Sequence, residues 1–360
     1  MGIPLNVGII GCGAISAQYL ATFERLTAVN LVAVADLDME RAQSVANSHP
    51  GVRAVDVVGL LAATDVDLVL NLTVPAAHAD IALRAIAAGK SVYGEKPLAT
   101  TTADGRKVLD AARTAGVRVG CAPDTVLGTG IQTARKALDD GVIGTPVAAT
   151  ATMMTAGHEQ WHPNPDFYYQ PGGGPLLDMG PYYVAALVTL LGPVASVVGA
   201  ASHTRPERTV GSGPRAGEQI PVSVETHVTG VLTHASGALS TLVMSFDAVA
   251  TKSSNIEVHG TAGSLIVPDP NHFDGEVSLF ALGGNEWTVL PVSAGYIDGG
   301  RGIGIADLAD TPAGQEPRAG GALGFHSLDI MESVLESARS GHSVKIGSTV
   351  DRPLGVPLTA

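Results

Sequence analysis

The sequence predicts an α/β protein with two parts, an N-terminal doubly wound parallel sheet and a C-terminal α+β domain with a large, mainly antiparallel open sheet. In residues 1–122, short apolar strands alternate with helical segments, which is the pattern of βαβ units. From residue 123 on, strand-like runs are joined by short glycine-bearing turns, which is the pattern of antiparallel hairpins. We therefore expect domains at residues 1–122 and 123–345, followed by a C-terminal tail at 346–360.

The N-terminal half divides into alternating strands and helices. Its apolar strands are nearly continuous, which is typical of a sheet covered on both faces. Gly89 and Gly116 each follow a helical run and predict its C-terminal end. The predicted strands are Leu5–Ile10, Leu31–Ala35, Val55–Val58, Asp67–Leu72, Ser91–Gly94 and Val117–Cys121, and the predicted helical segments are Ile15–Arg25, Glu40–Ser48, Gly59–Ala63, Ala76–Ala88 and Thr102–Ala115.

The C-terminal half has fewer helices and more strands. The run Val184–Ala201 carries no charge, but Gly192-Pro193 interrupts it, so we interpret it as a buried helix, a turn and a strand rather than a membrane span. Gly157–Gly174 is irregular, and Arg205–Glu218 is expected to be a mobile loop. The helices are Thr129–Asp140, Leu176–Leu191 and Ala322–Ser340, and the strands are Pro146–Thr155, Val194–His203, Ser223–Thr233, Gly237–Phe246, Ser254–Gly260, Gly263–Val267, Glu276–Ala281 and Glu286–Leu290.

Composition and charge exclude several classes of protein. With 45% hydrophobic and 15% charged residues, the chain is globular rather than disordered. A net charge of −13 and the lack of a Lys/Arg cluster argue against binding to nucleic acid or to an anionic membrane surface. Cys12 and Cys121 are too few for a disulfide framework, and no zinc-type spacing is present. Because Met1–Asn6 is too short for a signal peptide, we expect a cytoplasmic protein.

The turn after the first strand carries the pattern of a dinucleotide-binding site. It has the form G-x-G-x-x-G with Ser16 in the third glycine position. Gly11 allows the tight turn, and Gly13 lets the backbone approach a pyrophosphate. Ala14 and Ile15 lead into a helix whose first N–H groups would face that anion. The sequence therefore predicts a Rossmann domain that binds a dinucleotide.

An acidic residue at the end of the second strand bears on cofactor choice. Asp36 follows the glycines by about 20 residues, the spacing at which a carboxylate binds the adenosine ribose hydroxyls. Its charge would repel a 2′-phosphate, which favours NAD over NADP. Arg41 could accommodate that phosphate, so NADP stays possible, although such an arginine is more often a solvated helix residue.

Glu95-Lys96-Pro97 follows the Ser91–Gly94 strand and is a candidate for chemistry. A lysine at the carboxyl end of a parallel strand lies at the ligand crevice of an open α/β sheet. Residue chemistry alone leaves a second interpretation open, a surface lysine at a strand edge.

Together these motifs closely resemble those of the glucose–fructose oxidoreductase and inositol dehydrogenase family, also called Gfo/Idh/MocA. They appear in the family's order and span about Leu5 to Ser348. The resemblance implies NAD(P)-dependent oxidation of a hydroxyl, or reduction of a carbonyl, on sugars, cyclic polyols or related compounds. The motifs are Thr73–Pro75 with His78, Ala87–Val92, Glu95–Ala99, Gly172–Gly180 and Phe325–Glu332.

The resemblance also implies residue roles. Lys96 is similar to the family's active-site lysine, whose ammonium would stabilise a developing alkoxide. Asp178 is similar to the carboxylate that orients substrate and pairs with that lysine. The residues expected along the cofactor cleft are Thr73, Pro75, His78, Glu95 and Lys96. For His78 a second interpretation stays open, a histidine at a helix start that bonds to backbone.

One position departs from the family pattern. Many members carry a histidine four residues after the aspartate, proposed as the general acid/base, and this chain has Tyr182 there. Residues four apart share a helix face, so Asp178 and Tyr182 can face one cleft. A free tyrosine has a pKa near 10, and a neighbouring lysine would lower it. We expect Tyr182 to be the acid/base; a purely packing or substrate-binding role is the alternative.

A His- and aromatic-rich segment precedes the Asp178 helix. His158, Trp161 and His162 lie in it and are expected to bind substrate, because aromatic rings stack on sugars and histidines bind hydroxyls. The two histidines also have the spacing of zinc ligands, but without a convincing third ligand we expect no metal. Asp124 is a further expected substrate contact, and Arg301 and His326 are weaker ones, with His326 equally explained by helix packing.

These features favour an enzyme that transfers a hydride between a carbohydrate-like substrate and NAD(P). Two other functions fit the same fold: a dinucleotide-sensing regulator without catalysis, and a lyase or epimerase that keeps its NAD tightly bound. Retention of both Lys96 and Asp178 argues against the regulator, since a sensor needs neither. A homodimer or homotetramer is expected, as the resemblance implies and as a broad open sheet face suggests.

Overall fold

The computed structural model describes residues 4–312 and 314–359. It divides into two compact units. The first contains the described residues through Leu127 together with Asp298–Phe325, and the second contains Gly128–Ile297 together with the described residues from His326 on. The predicted limits at residues 122 and 345 differ from this division, because the segment 298–325 returns to the first unit.

The first unit is built on a six-stranded parallel sheet with the order β3-β2-β1-β4-β5-β6. Its strands are β1 (Leu5–Ile10), β2 (Val29–Ala35), β3 (Arg53–Ala54), β4 (Leu68–Asn71), β5 (Ser91–Gly94) and β6 (Val119–Cys121). Its helices are α1 (Ser16–Phe23), α2 (Met39–Ser48), α3 (Val57–Ala62), α4 (His78–Ala87), α5 (Thr102–Ala115) and, from the returning segment, α8 (Ile303–Asp310). Apolar side chains cover both faces of the sheet in two core clusters, as the continuous strands predict.

Two details of this unit differ from prediction. The extended segment predicted at Val55–Val58 is wrong, because Asp56 accepts a hydrogen bond from the amide of Gly59 and caps a helix that begins at Val57. Helix α8 was not predicted. Its apolar run lies among glycines, and a first turn without acidic or capping residues gives no sequence signal for a helix start.

The second unit is built on a nine-stranded sheet with the order β16-β15-β14-β13-β7-β12-β11-β8-β17. All its pairs are antiparallel except β7 with β12, so the predicted mainly antiparallel sheet is confirmed. Its strands are β7 (Pro146–Met154), β8 (Val194–Ser202), β11 (His227–His234), β12 (Leu239–Ser245), β13 (Ile256–Gly260), β14 (Gly263–Val267), β15 (Ser278–Ala281), β16 (Thr288–Val289) and β17 (Val344–Lys345).

Helices α6 (Thr129–Asp139), α7 (Gly174–Leu191) and α9 (Gly321–Ser340) accompany this sheet, and α9 contributes Gly321–Phe325 to the first unit. Among the described residues, α7 alone has the length and apolar composition of a membrane span, and 83% of it is buried. It ends at Leu191, and β8 follows at Val194, so the predicted buried helix, turn and strand are confirmed.

The segment predicted to be a mobile loop contains regular structure. Strands β9 (Glu207–Thr209) and β10 (Gln219–Pro221) pair as a small antiparallel ladder. We call residues 203–223 the arm. The tail after residue 345 is likewise packed, since the amide of Val356 donates to Gln132 Oε1 at 2.8 Å.

Candidate functional site

The glycine-rich turn of the first unit has the backbone geometry that a pyrophosphate site needs. Gly11 has a φ of +104°, and a Cβ there would lie 2.7 Å from the carbonyl group of Leu72. At Gly13 a Cβ would meet nothing within 4 Å, so the backbone faces open space. Ser16 donates its hydroxyl to Gly13 O at 2.7 Å, which closes the turn from the third motif position.

The first turn of α1 has no side-chain cap, although the amides of Ser16 and Gln18 donate to Gly13 O and Ile15 O, each at 3.1 Å. Ile15 is its N-cap residue and provides no side-chain hydrogen bond to the helix amides. Uncapped amides at a helix N-terminus are a site for phosphate, because the N–H groups and the helix dipole both favour negative charge. Ala14 lies in the turn that leads to this helix and completes the motif.

A cavity of about 440 Å³ lies beside this turn in the first unit. Asp36 at the end of β2 lines it, and its carboxylate accepts from the amides of Cys12 (2.7 Å) and Asp38 (2.9 Å). Those two bonds fix the carboxylate in the orientation that faces the cavity. Arg41 also lines the cavity and forms an ion pair with Asp38 at 3.2 Å. The structure thus brings together five of the predicted cofactor residues: Gly11, Gly13, Asp36, Arg41 and Thr73.

His78 ties two of the predicted motifs together from a buried position. Its Nδ1 lies 2.7 Å from Pro97 O, and its Nε2 lies 2.9 Å from Thr73 O. Burial lowers its pKa. The alternative interpretation, a histidine at a helix start bonded to backbone, describes it, and His78 does not face the cofactor cavity. Pro75 begins the short 3-10 helix just before it and is partly exposed.

Glu95 connects the active-site motif to the cofactor helix. Tyr19 on α1 donates its hydroxyl to Glu95 Oε1 at 2.8 Å, and the Lys96 amide donates to Glu95 Oε2 at 3.0 Å. Both Tyr19 and Glu95 are buried, and burial beside this carboxylate raises the pKa of Tyr19 well above 10. Glu95 therefore sets the position of α1 relative to Lys96, which follows β5 at the carboxyl end of the sheet.

Asp124 is buried and bonded to backbone amides. Its side chain is fully buried and accepts from the amides of Gly302 (2.7 Å) and Gly304 (3.1 Å). Burial raises its pKa from 3.8 to about 6, and the two amides oppose that shift. Through these two bonds Asp124 anchors the segment that leads into α8, and its predicted contact with substrate stays a prediction. Arg301 donates through Nε to Gln18 at 3.0 Å.

In the second unit, the predicted carboxylate lies beside a predicted histidine. Asp178 Oδ2 on α7 is 3.4 Å from His158 Nδ1. The His158 ring is buried and packs against Phe246, Tyr168 and Trp161, with ring centroids 4.4, 4.7 and 5.2 Å away. This packing fixes the imidazole plane and directs one ring nitrogen to the carboxylate. Tyr182 lies one turn along α7 from Asp178 and is largely buried.

A buried ion cluster holds His158 in place, and sequence reasoning missed it. Glu159 and Arg208 are each about 1% exposed, and Arg208 Nη1 donates to Glu159 Oε1 at 3.0 Å. Tyr169 donates a short hydrogen bond to the other Glu159 oxygen, and Arg208 also donates a short one to Asp247. Since Glu159 directly follows His158, Arg208 of the arm fixes the 3-10 turn that carries the histidine.

A glycine makes this cluster possible. Gly157 has a φ of +110°, and a Cβ there would lie 2.1 Å from a Glu159 carboxylate oxygen. The available sequence signals were a lone Arg208 in a short strand and a glycine at residue 157. Neither signal shows its partner, because Arg208 and Glu159 lie 49 residues apart in the chain.

The remaining predicted contacts lie at the surface of the same loop. Trp161 is 59% exposed, and His162 accepts a hydrogen bond at Nδ1 from the amide of Asn164 at 3.1 Å. Within residues 4–312 and 314–359, no group of three or more His, Cys, Asp or Glu side chains is placed to hold a metal ion. His326 is fully buried, accepts from the Val194 amide and has a pKa lowered to about 4 by burial, which makes it a helix-packing histidine.

Two family models match the chain, one in each half. The oxidoreductase family with an NAD-binding Rossmann fold matches residues 5–122. The GFO/IDH/MocA C-terminal domain matches residues 131–266. The chain belongs to the GFO/IDH/MocA family of oxidoreductases. The family resemblance, the enzyme class and the NAD-binding Rossmann domain predicted from the sequence are thereby confirmed.

Relatives with a named activity match the chain over most of its length or over part of it. It is 28% identical to 1,5-anhydro-D-fructose reductase from Ensifer adhaerens, over 94% of this chain and 98% of that enzyme. Inositol 2-dehydrogenase from Klebsiella pneumoniae subsp. pneumoniae is 37% identical over 40% of this chain and 44% of that enzyme. A crystal structure of an NAD-binding oxidoreductase from Klebsiella pneumoniae shares the fold with a TM-score of 0.83 and 24% identity, over 96% and 99% of the two chains. The individual roles of Lys96, Asp178 and Tyr182 stay predictions.

Proposed function

We propose that this GFO/IDH/MocA member is an NAD-dependent dehydrogenase or reductase of sugars, cyclic polyols or closely related compounds. The observation that carries the proposal is the cavity lined by Gly11, Gly13, Asp36 and Thr73 beside the uncapped end of α1. The named relatives, a sugar reductase and an inositol dehydrogenase, support the substrate class.

The residues present fit a dinucleotide. Open space at Gly13 and the uncapped α1 amides suit a pyrophosphate, and the Asp36 carboxylate suits the ribose hydroxyls. When bound, NAD supplies the acceptor, or in NADH the donor, of the hydride. Preference for NAD follows from two features: Asp36 repels a 2′-phosphate, and Asp38 engages the nearby Arg41.

Three side chains are assigned to the chemistry. In the oxidation direction the carbinol carbon loses its hydride while the hydroxyl proton passes to a base, which leaves a ketone. Lys96 stabilises the developing alkoxide through its ammonium, and Asp178 orients the substrate by accepting from a hydroxyl. Tyr182 is assigned as the general base that accepts the proton. Reduction runs through the same groups in reverse.

His158 is a second candidate for the acid/base. Its contact with Asp178, 3.4 Å from Nδ1 to Oδ2, is the arrangement in which a carboxylate orients an imidazole and stabilises its protonated form. The variants Tyr182→Phe and His158→Gln separate the two assignments. A Tyr182→Phe enzyme with nearly wild-type kcat would overturn the tyrosine assignment, and a loss of the pH dependence of kcat in His158→Gln would transfer the role to the histidine.

Absorbance at 340 nm tests the proposed function. Purified protein is incubated with NAD and then NADP against monosaccharides, inositols, anhydrosugars and glycosides, and with NADH against the matching ketones. Growth or loss of the signal with one class identifies the reaction. If cofactor binds but no compound changes the absorbance, the chain is instead a dinucleotide-sensing regulator or an enzyme that keeps its cofactor through a closed cycle.

We further propose that the chain forms a homodimer or homotetramer through the outer face of its large sheet. Val198, Val231 and Leu239 are large apolar residues on that face, each at least 42% exposed. Twelve outward positions of strands β7, β8, β11 and β12 carry no charged side chain. They are Ala148, Thr150, Thr152, Ser196, Val198, Ala200, Thr229, Val231, Thr233, Leu239, Thr241 and Val243. A broad uncharged face of this kind marks an interface. Light scattering of wild type and Val231→Asp tests this, with a monomeric wild type as the contradicting result.

A cytoplasmic location is also proposed. Both cysteines are free and buried, and burial raises the thiol pKa of each, that of Cys12 to about 11. Such unpaired thiols suit a reducing compartment. Fractionation of the native host tests the location, and recovery outside the cytoplasm would contradict it.

A further inference from the structure

Aromatic side chains are concentrated in one short stretch of the second unit. The chain has only 2 Trp, 7 Tyr and 6 Phe in 360 residues. Four of them, Trp161, Phe167, Tyr168 and Tyr169, lie within residues 161–169. Such a concentration in an aromatic-poor chain requires a reason beyond core packing, because two of these rings face solvent.

The two solvent-facing rings and the His162 ring between them form a surface that we call the aromatic platform, defined as Trp161, His162 and Phe167. Trp161 is 59% exposed and Phe167 is 51% exposed. The His162 ring lies between them, with centroid distances of 5.5 Å to Trp161 and 5.4 Å to Phe167. Large rings left in water cost free energy that burial against a ligand recovers.

The platform is continuous with the predicted substrate carboxylate. Trp161 lies 5.2 Å, centroid to centroid, from the buried ring of His158, and His158 Nδ1 lies 3.4 Å from Asp178 Oδ2. The buried imidazole of His158 therefore lies between Asp178 and the exposed aromatic rings. All of these residues belong to the second unit.

Two arginines of the arm hold the turns that carry the platform. Arg215 of the arm donates two hydrogen bonds to Asp166, at 2.5 and 3.1 Å, and Asp166 begins the 3-10 turn that carries Phe167. Arg208 of the same arm fixes Glu159, which precedes Trp161 by two residues. A surface fixed in advance loses little side-chain freedom on binding, which favours it as a binding surface.

We propose that the substrate of this enzyme carries a second ring, as a glycoside or disaccharide does, and that this ring stacks on the aromatic platform while the reacting ring lies at Asp178. The inference rests on the proposed function and specifies its substrate class. Because the buried His158 ring lies between Asp178 and Trp161, the proposal places the reacting ring at Asp178 and the attached ring against the exposed faces of Trp161 and Phe167. Binding energy from such a remote ring raises kcat/KM for the larger substrate.

The kinetic test compares two substrates that share the reacting ring, a monosaccharide and its glycoside or disaccharide. We expect kcat/KM to be about tenfold or more higher for the two-ring compound, the factor that one aromatic contact of about 1.4 kcal/mol gives. In Trp161→Ala the ratio of the two kcat/KM values falls about tenfold. Trp287→Ala is the matched control, since Trp287 is 44% exposed and lies outside residues 157–174, and it leaves the ratio unchanged. Equal kcat/KM for the two substrates, or equal losses in Trp161→Ala, would overturn the proposal.

A binding measurement keeps the inference separate from the proposed activity. Because Trp161 and Trp287 are the only tryptophans, Trp287→Phe leaves Trp161 as the sole tryptophan fluorophore. Titration of this variant with the disaccharide, in the presence of NADH and with excitation at the tryptophan absorption edge, is expected to change its emission saturably, and the monosaccharide is expected to change it less. This response supports the platform even if no compound is turned over. An unchanged emission with every two-ring compound contradicts it even if monosaccharides are oxidised.

Discussion

The glycine-rich turn of the first unit and the loop at residues 157–174 of the second both carry predicted site residues, but they are built in different ways. In the turn, the backbone provides the geometry of the site: Gly11 has a positive φ, Gly13 leaves open space, and no side chain caps the first turn of α1. In the loop, side chains from distant segments provide the geometry, as when Arg208 pairs with both Glu159 and Asp247. A backbone site is encoded within a few consecutive residues, whereas a side-chain site depends on partners brought together by the fold.

The largest expected effect comes from breaking the long-range cluster. Arg208→Met keeps the volume of the side chain but leaves Glu159 and Asp247 without their buried cation. Breaking one partner of a buried pair costs about 3–5 kcal/mol, and we expect that loss in the free energy of unfolding measured by urea denaturation. Arg215→Gln is the control, since its ion pairs are partly exposed and such pairs contribute about 1 kcal/mol or less. Similar midpoints for the two variants would show that the cluster is not a stabilising element.

The same contrast explains which parts of the fold and of the candidate site could be predicted from the sequence. The strand–glycine–helix pattern and Asp36 depend on local spacing, so the parallel sheet and the cofactor turn were predictable. The antiparallel sheet was predictable from its hairpin turns. Helix α8 and the arm strands were not, because their stability comes from packing rather than from capping or alternation. Arg208 was missed for the same reason, and the burial of Asp124 depends on two amides about 180 residues away in the chain.

A substitution at Lys96 tests whether the chemical step takes place at the end of β5. Lys96→Met removes a cation assigned to the developing alkoxide, and loss of one such donor lowers kcat about 10²- to 10³-fold. Binding of NADH, followed by its fluorescence, is expected to stay within a few-fold of wild type. Lys107→Met is the control, because Lys107 lies on α5 in an exposed ion pair with Asp104. A Lys96→Met enzyme that keeps more than half of wild-type kcat contradicts the assignment.

The buried carboxyl of Asp124 predicts a pH dependence of stability in the first unit. Its folded-state pKa of about 6 lies above the ordinary 3.8, so folding takes up a proton between those values. The stabilising contribution is therefore present at acid pH and is lost as the pH rises through about 6. We expect the unfolding free energy of wild type, relative to Asp124→Asn, to fall by about 2 kcal/mol between pH 4 and pH 7. Parallel pH profiles for the two proteins would show that Asp124 does not titrate in this range.

Cofactor preference is the smallest of the expected effects and tests the backbone site. Asp36→Ser removes the charge opposed to a 2′-phosphate, and the ratio of kcat/KM for NADP to that for NAD is expected to rise about tenfold or more. Adding Asp38→Ala releases Arg41 from its ion pair and is expected to raise the ratio further. Asp110→Ala on α5 is the control for a lost surface carboxylate. An unchanged ratio in both variants would show that Asp36 does not determine the choice between NAD and NADP.

We propose that this enzyme passes a hydride from a carbinol carbon of a carbohydrate-like substrate directly to the dinucleotide held at the Gly11–Gly13 turn. The most direct measurement uses a substrate deuterated at that carbon, with mass spectrometry of the nicotinamide product and the rate followed at 340 nm. We expect the deuterium to appear in the reduced cofactor and the deuterated substrate to react more slowly in single turnovers. Deuterium released to solvent instead, with unlabelled reduced cofactor, would contradict direct hydride transfer.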